Sequence, residues 1–344
     1  MTYNLYVGVT YNLKGKASSP GAVTAVTAAA PDSDEPFDAD AEYDDISTVL
    51  AIKSVLESAG ARVGLYEALD DLPLRIIADR PDIVFNIAEG VHGRGRESHV
   101  PALLSFLRIP FTGSDETTMC VTMDKAIAKR LVASYGVNTP EYRVAAYGSD
   151  FSYDKLTYPL IIKPNTEGSG KGISAISVAS DEAELRAALD EKLRAYKQDM
   201  LVERFIAGRE FTVGIVGNGD EARVFAPMEI IFNSGERAIY SYEVKKDYKR
   251  YTRYECPPDI SDGERAMIED TAKTVYKALD CKDFARMDFR LAPDGKLYFL
   301  ELNPLPGLAP GFSDMTILAE YCGVDYRSLI LSVFDAALRR YGMA

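Results

Sequence analysis

The sequence predicts an α/β protein with a mostly parallel sheet, and three observations carry that prediction. Apolar runs at 5–9, 62–66 and 83–87 are each the length of a buried strand. Apolar residues at helical spacing fill the intervals at 46–59 and 100–107. The two patterns alternate along the chain, which is how a sheet comes to be layered with helices.

Residues 5–9 read as the first buried strand. The stretch 15–45 differs from its surroundings: it opens on Ala, Ser, Thr and Pro and closes with eight acidic residues between Asp32 and Asp45. Such a composition cannot bury a core and repels itself, so a mobile insertion or lid is expected. A helix over 46–59 follows, with Ile46, Val49, Leu50 and Leu56 at helical spacing and Gly60 ending it. Strands at 62–66 and 83–87, a helix at 100–107 and a strand opening at 110–112 continue the alternation. A helix from about Thr122 runs through 124–134 and stops at Gly136. The run TYPLIIKPNTEGSGKGISAISV reads as strand, Gly-rich turn and strand, and Ser180 is placed as the cap of a helix reaching about Arg194. LVERFI is a strand. From Gly208 strands alternate with loops, and helices at 262–279 and 326–341 close the chain.

A chain of 344 residues is long enough for two or three packed units. Its net charge of -13 argues against a nucleic-acid partner, which calls for a basic stripe. Cys120, Cys256, Cys281 and Cys322 form no CxxC pair and read as reduced, buried thiols of a cytoplasmic protein. The start MTYNLYVGVTYN lacks a signal-peptide pattern, and no run of about 18 apolar residues predicts a membrane span.

The most informative segment is FARMDFRLAPDGKLYFLELNPLPG. With Asp294-Gly295 as a two-residue hairpin turn, Asp288 faces Glu301 and Arg286 faces Asn303. Period-two alternation puts these four on one face and Met287, Phe289, Leu300 and Leu302 on a core face. Two facing carboxylates repel unless something neutralises them. Asp288, Glu301 and Asn303 offer only oxygen, a donor set suited to Mg²⁺. Arg286 beside them can hold a phosphate or an oxyanion. A solvated polar sheet face is the plainer alternative.

Lys163 precedes PNTEGSGKGI, where glycines at 168, 170 and 172 let backbone amides approach a phosphate. Asn165 and Gly172 rule out a P-loop, and Ile173 rules out the dinucleotide fingerprint. On its own the turn is equally a phosphate cover or a mobile hairpin. The third segment, NIAEGVHGRGRES, follows a buried strand and places His92 where α/β proteins bind ligands. HExxH spacing is absent, as is a GxSxG elbow.

HGRGRES, PFTGSD, TMDKAIAK, LIIKPNTEGSGKG, LVERFIAGREFTV, SYEVK, RMDF and LELNPLPG together resemble the D-alanine–D-alanine ligase family of the ATP-grasp superfamily, from about Pro81 onward. The resemblance implies a three-domain ATP-grasp fold divided at 1–115, 116–207 and 208–344, with ATP between the central and C-terminal domains. It implies that Lys125, Lys163 and Lys245 hold ATP phosphates, and that the loop of Glu167, Gly168, Ser169 and Gly170 through Lys171 covers them. Glu203, Arg204, Phe205 and Ile206 resemble the hinge that reads adenine, and Glu210 the ribose ligand. Asp288, Glu301 and Asn303 resemble the ligands of Mg²⁺, for which Mn²⁺ is an allowed substitute. Arg286 and the Gly307 amide resemble the pair that stabilises a tetrahedral intermediate, and His92, Glu97 and Ser169 resemble substrate-loop residues. The family implies an ADP-forming ligase of amino acids or small carboxylates and amines, a role in cell-wall biogenesis, a cytoplasmic setting and compatibility with a homodimer.

The departures fall at the substrates. The loop YNLKGKASSP carries no match to the family's glutamate for the first ammonium, so Glu42 or a neighbouring acid is the candidate replacement. Lys246 stands where the family has Tyr, and Phe312 or Ser313 where it has a serine. The expectation is a ligase that is not strict for D-alanine, with Lys246 favouring a carboxylate-bearing substrate. The alternatives are a ligase of other small acids in a biosynthetic pathway and a nucleotide-binding protein without turnover.

Overall fold

The computed structural model describes residues 3–15, 42–149, 151–152, 156–168, 177–233 and 248–344. Most of the acidic insertion (16–41), the centre of the Gly-rich loop (169–176, with Ser169 and Gly170) and the segment 234–247 with Lys245 and Lys246 lie outside the described residues.

Three sheets organise the rest. In the first, β1 (Tyr6–Tyr11) lies between β2 (Arg62–Glu67) and β3 (Ile83–Asn86), all parallel. A parallel sheet is covered on both faces. Val7, Val9, Ile83 and Phe85 face α1 (Ile46–Ser58) and the last helix, while Tyr66 and Val84 face α2 (Leu72–Asp79) and α3 (His99–Leu107). The α1 core stripe is Val49, Ile52, Val55 and Leu56; Ile46 and Leu50, expected inside, are 43% and 48% exposed. Asp45 caps α1 by accepting from Ser47 N–H at 2.9 Å. The strand expected at 110–112 is only an isolated bridge between Phe111 and Val84.

The helix expected from Thr122 is two helices, α4 (Glu116–Met123) and α5 (Lys125–Ser134). Asp124 breaks them apart: its backbone is extended, and its carboxylate caps α5 by accepting from Ile127 N–H. Lys125 N–H then donates to Asn165 O at 3.1 Å, which ties the start of α5 to the Gly-rich segment.

The second sheet is antiparallel, with β4 (Tyr142–Ala145), β5 (Leu160–Pro164), β6 (Val178–Ala179) and β7 (Met200–Arg204) in the order β4-β7-β5-β6. It is backed by α6 (Glu182–Tyr196), whose cap is Asp181 rather than Ser180. The third sheet holds β8 (Arg209–Val216), β9 (Arg223–Val224), β10 (Met228–Phe232), β11 (Thr252–Glu255), β12 (Phe284–Leu291) and β13 (Leu297–Asn303). Its path is β11-β10-β8-β12-β13, with β9 on β8. Helix α7 (Asp262–Ala278) packs with α5 against one face. Two helices complete the chain: α8 (Asp314–Tyr321), which the periodicity did not reveal, and α9 (Tyr326–Arg340). Leu329, Ile330, Val333 and Phe334 of α9 are fully buried under the first sheet, each stabilising by about 1.5–3 kcal/mol. None of the helices among the described residues is long and apolar enough to cross a membrane.

Candidate active site

The β12–β13 hairpin sets the site. Asp288 pairs with Glu301 and Arg286 with Asn303, the expected register. It is reached by two offsets that cancel. The loop has three residues, not two: Ala292 N–H donates to Lys296 O, and Gly295 adopts φ +79° between them. A bulge between Asp288 and Phe289 then restores the count, so Phe299 rather than Leu300 joins Met287, Phe289 and Leu302 in the core.

On the other face Arg286 reaches Asp288 at 3.2 Å and Asp314, in the first turn of α8, at 3.4 Å. Glu301 lies 3.9 Å from the Lys125 ammonium, which also donates to the Glu167 carbonyl. Burial alone would raise the Glu301 carboxyl, but Lys125, Lys163 and Arg286 hold it below the usual range. Glu203 of β7, 2% exposed, takes Lys163 at 2.7 Å and Lys129 at 2.9 Å. Burial pushes the Lys129 ammonium down to about 8 against the pull of Glu203. For Lys163 the same burial is outweighed by Glu203 and Glu301, and its pKa rises. Glu210 accepts from Arg290 at 2.6 and 3.0 Å; Arg290 also holds the Ile206 carbonyl and stacks over Phe205. Arg204 leans over the Tyr298 ring.

Beside Arg286 opens a cavity of about 390 Å³, lined among others by Glu42, Glu89, Glu97, Gly168, Asn303 and Gly307. A recess of about 30 Å³ shares Glu97, Gly168 and Asn303 with it and reaches Lys125 and Glu301. At Gly307 an added Cβ would sit 2.8 Å from Ser313 Oγ, so a side chain there would force Ser313 to shift. Glu42 accepts from Arg96 and from Gly168 N–H, both at 2.5 Å, and Arg96 also holds Glu167 at 3.1 Å. The last residues of the acidic stretch are thereby fastened to the opening of the Gly-rich loop. His92 is not in this cavity. It lines a neighbouring one of about 430 Å³, with Tyr147 and Lys197, and the two share Glu42 and Tyr43.

Residues 131–335, more than half of the chain, match the family model described as D-ala D-ala ligase C-terminus. An uncharacterized protein of Sinorhizobium fredii is 34% identical over 279 residues, 81% of each chain. The D-alanine–D-alanine ligase of Bordetella petrii is 33% identical over 289 residues, covering 83% of this chain and 85% of that enzyme. The chain belongs to the D-alanine–D-alanine ligase family. Its fold matches the crystal structure of D-alanine–D-alanine ligase from Bacillus anthracis complexed with ATP, with a TM-score of 0.71 at 20% identity over 98% of this chain and 99% of that one. The architecture is therefore the three-domain ATP-grasp fold, and the enzyme class is that of an ATP-dependent ligase.

Within this family frame, reasoning from sequence missed five residues of the site. Lys129 lies four positions after Lys125, one helical turn along the same face of α5. Arg290 continues the alternation of Arg286 and Asp288 on β12. Glu89 precedes the HGRGRES motif and Arg96 lies inside it, but neither was given a role, and Asp314 belongs to the helix that was not foreseen. The donor chemistry of the hairpin face is compatible with a metal ion. Asp288, Glu301 and Asn303 supply only oxygens, and Asn303 has a buried amide nitrogen with no hydrogen-bond partner among the described residues. Two facing carboxylates and an amide suit an ion that takes its other oxygens from a nucleotide.

Proposed function

We propose that this enzyme joins a carboxylate to an amine through an acyl-phosphate, with Arg286 and the Gly307 amide holding the tetrahedral stage of amide formation. The observation that carries this reading is one hairpin face, Arg286–Asp288–Glu301–Asn303, with Lys125 at its edge and a substrate-sized cavity beside it. Lys125 and Lys163 hold ATP phosphates, together with Lys245; the loop from Glu167 and Gly168 through Ser169 and Gly170 excludes water, because an acyl-phosphate hydrolyses readily. Glu203 to Ile206 line the adenine hinge and Glu210 the ribose. Asp288, Glu301 and Asn303 hold Mg²⁺ or Mn²⁺. The chemistry it supplies when bound is neutralisation of phosphate charge.

On the substrate side Glu42 receives an ammonium, Glu97 lines the same chamber, and Arg286 stabilises the developing oxyanion. His92 lines the adjoining cavity, which shares Glu42 and Tyr43 with the chamber. The division at 1–115, 116–207 and 208–344 agrees with one sheet in each part, and a cytoplasmic homodimer is in keeping with the family. The test is ADP release from ATP and Mg²⁺ with amino acids offered singly and in pairs, followed by mass spectrometry of the product. Release that depends on an added amine, with a product of the summed mass less water, supports the reading. ATP turnover indifferent to every amine sinks it.

A further inference from the structure

The cavity beside Arg286 carries an excess of negative charge among the described residues. It is lined by the carboxylates Glu42, Asp44, Asp45, Glu89, Glu97 and Asp314 against the cations Lys14 and Arg286. Asp314 is engaged with Arg286, and Glu42 with Arg96. Glu89 and Glu97 are left over. Glu97 is only 8% exposed, and neither residue makes a hydrogen bond or ion pair among the described residues. A buried carboxylate is normally paired or ligates a metal. No three of the described His, Cys, Asp and Glu side chains converge to hold one metal ion. The acids are strung along the chamber instead of gathered around a point, which suits separate compact cations, each with several N–H donors.

We propose that the amino-acid cavity selects a substrate bearing two ammonium groups, a diamino acid, with one ammonium received at Glu42 and the second between Glu89 and Glu97. The inference rests on the ligase reading and names its substrate class. Burial and the neighbouring Glu42 push Glu97 up to about 7, more than Arg96 and Lys125 offset, and burial with Glu97 and Glu42 raises Glu89 against Arg96, so a substrate without a second ammonium leaves an excess of acid in place. An ammonium between them restores the charged forms and satisfies their oxygens. This reverses the sign expected from Lys246, a residue outside the described ones.

The experiment is a panel on the full chain with ATP and Mg²⁺: ADP release with alanine, 2,3-diaminopropionate, 2,4-diaminobutyrate, ornithine and glutamate, both enantiomers, singly and in pairs. A kcat/KM for one diamino acid roughly 10–100-fold above alanine is expected, with Glu89→Gln lowering that ratio at least about tenfold. Preference for alanine or glutamate in the wild-type enzyme overturns the proposal while leaving the ligase reading intact. No amine-dependent release with any member overturns the ligase reading and this inference with it. The wild-type panel decides without the variant, and a thermal melt of Glu89→Gln with ATP verifies that the variant is folded.

Discussion

The two sides of the β12–β13 hairpin, proposed here to take the nucleotide and the amino acid, handle buried charge in opposite ways. Toward the second sheet, each buried charge has a partner in the protein: Glu203 takes Lys129 and Lys163, and Glu210 takes Arg290. Toward the first sheet, Glu89 and Glu97 line a chamber with no such partner among the described residues. A paired buried group resists removal of either partner, whereas an unpaired one is a cost until a ligand arrives. On the proposed reading, the contrast separates residues that hold the cleft together from residues that receive substrate.

The largest effect is expected where the two sides meet. Glu301 borders Lys125 and faces Asp288, so Glu301→Ala leaves phosphate charge unneutralised. ADP formation should fall on the order of 10³-fold in saturating Mg²⁺. A rate within a few-fold of wild type would remove the hairpin face from the chemistry.

Next, removing a carboxylate should have opposite signs on the two sides. Glu203→Ala strands two buried ammonium groups and should lower unfolding stability by about 3–5 kcal/mol. Glu89→Gln removes an unpaired acid and should raise stability by about 1 kcal/mol without ligand. Urea denaturation at pH 8 reads both, and the same sign for the two variants breaks the contrast.

The balanced side was the more legible in sequence because its determinants are periodic. Strand alternation and one hairpin turn aligned Asp288 with Glu301, and the three-residue loop and the bulge offset each other, so the register survived an incorrect turn. Lys129 and Arg290 follow from the same periodicities carried one step further. The chamber had no such guide. Glu89 sits in a loop and Glu97 in a single 3-10 turn, and Glu42 is brought to the first sheet by the pairing of Asp44 with Asn12 and Lys14. α2 and α8 went unseen because both have eight residues, too few turns for a clear repeat.

A pH titration sharpens the contrast further. The Glu97 carboxyl, raised to about 7 from the ordinary 4.5 by burial and Glu42, keeps a proton in the folded protein that the unfolded chain gives up. Its contribution to stability is therefore complete below 4.5 and is lost as pH rises through 7, roughly 1–3 kcal/mol in all. Glu97→Gln should flatten that part of the stability profile between pH 4.5 and 7. A variant profile parallel to wild type across the window would mean that Glu97 is already compensated.

The smallest effect expected is at Glu42, the residue that touches both sides. Its carboxylate accepts from Gly168 N–H at the start of the phosphate cover and from Arg96, and it lines both cavities. Glu42→Gln keeps an acceptor for the Gly168 amide but removes the charge offered to an ammonium. Arg96 retains Glu167, so the cover stays fastened. The KM for the amino-acid substrate should then rise about tenfold, the loss of one charged hydrogen bond, while the KM for ATP changes less than about threefold. If both rise together, Glu42 acts mainly by holding the loop closed, and the boundary between the two sides runs through the loop instead of along the hairpin. Glu42→Ala separates the cases, since it removes the Gly168 acceptor as well and should add a rise in the KM for ATP only if the latch matters.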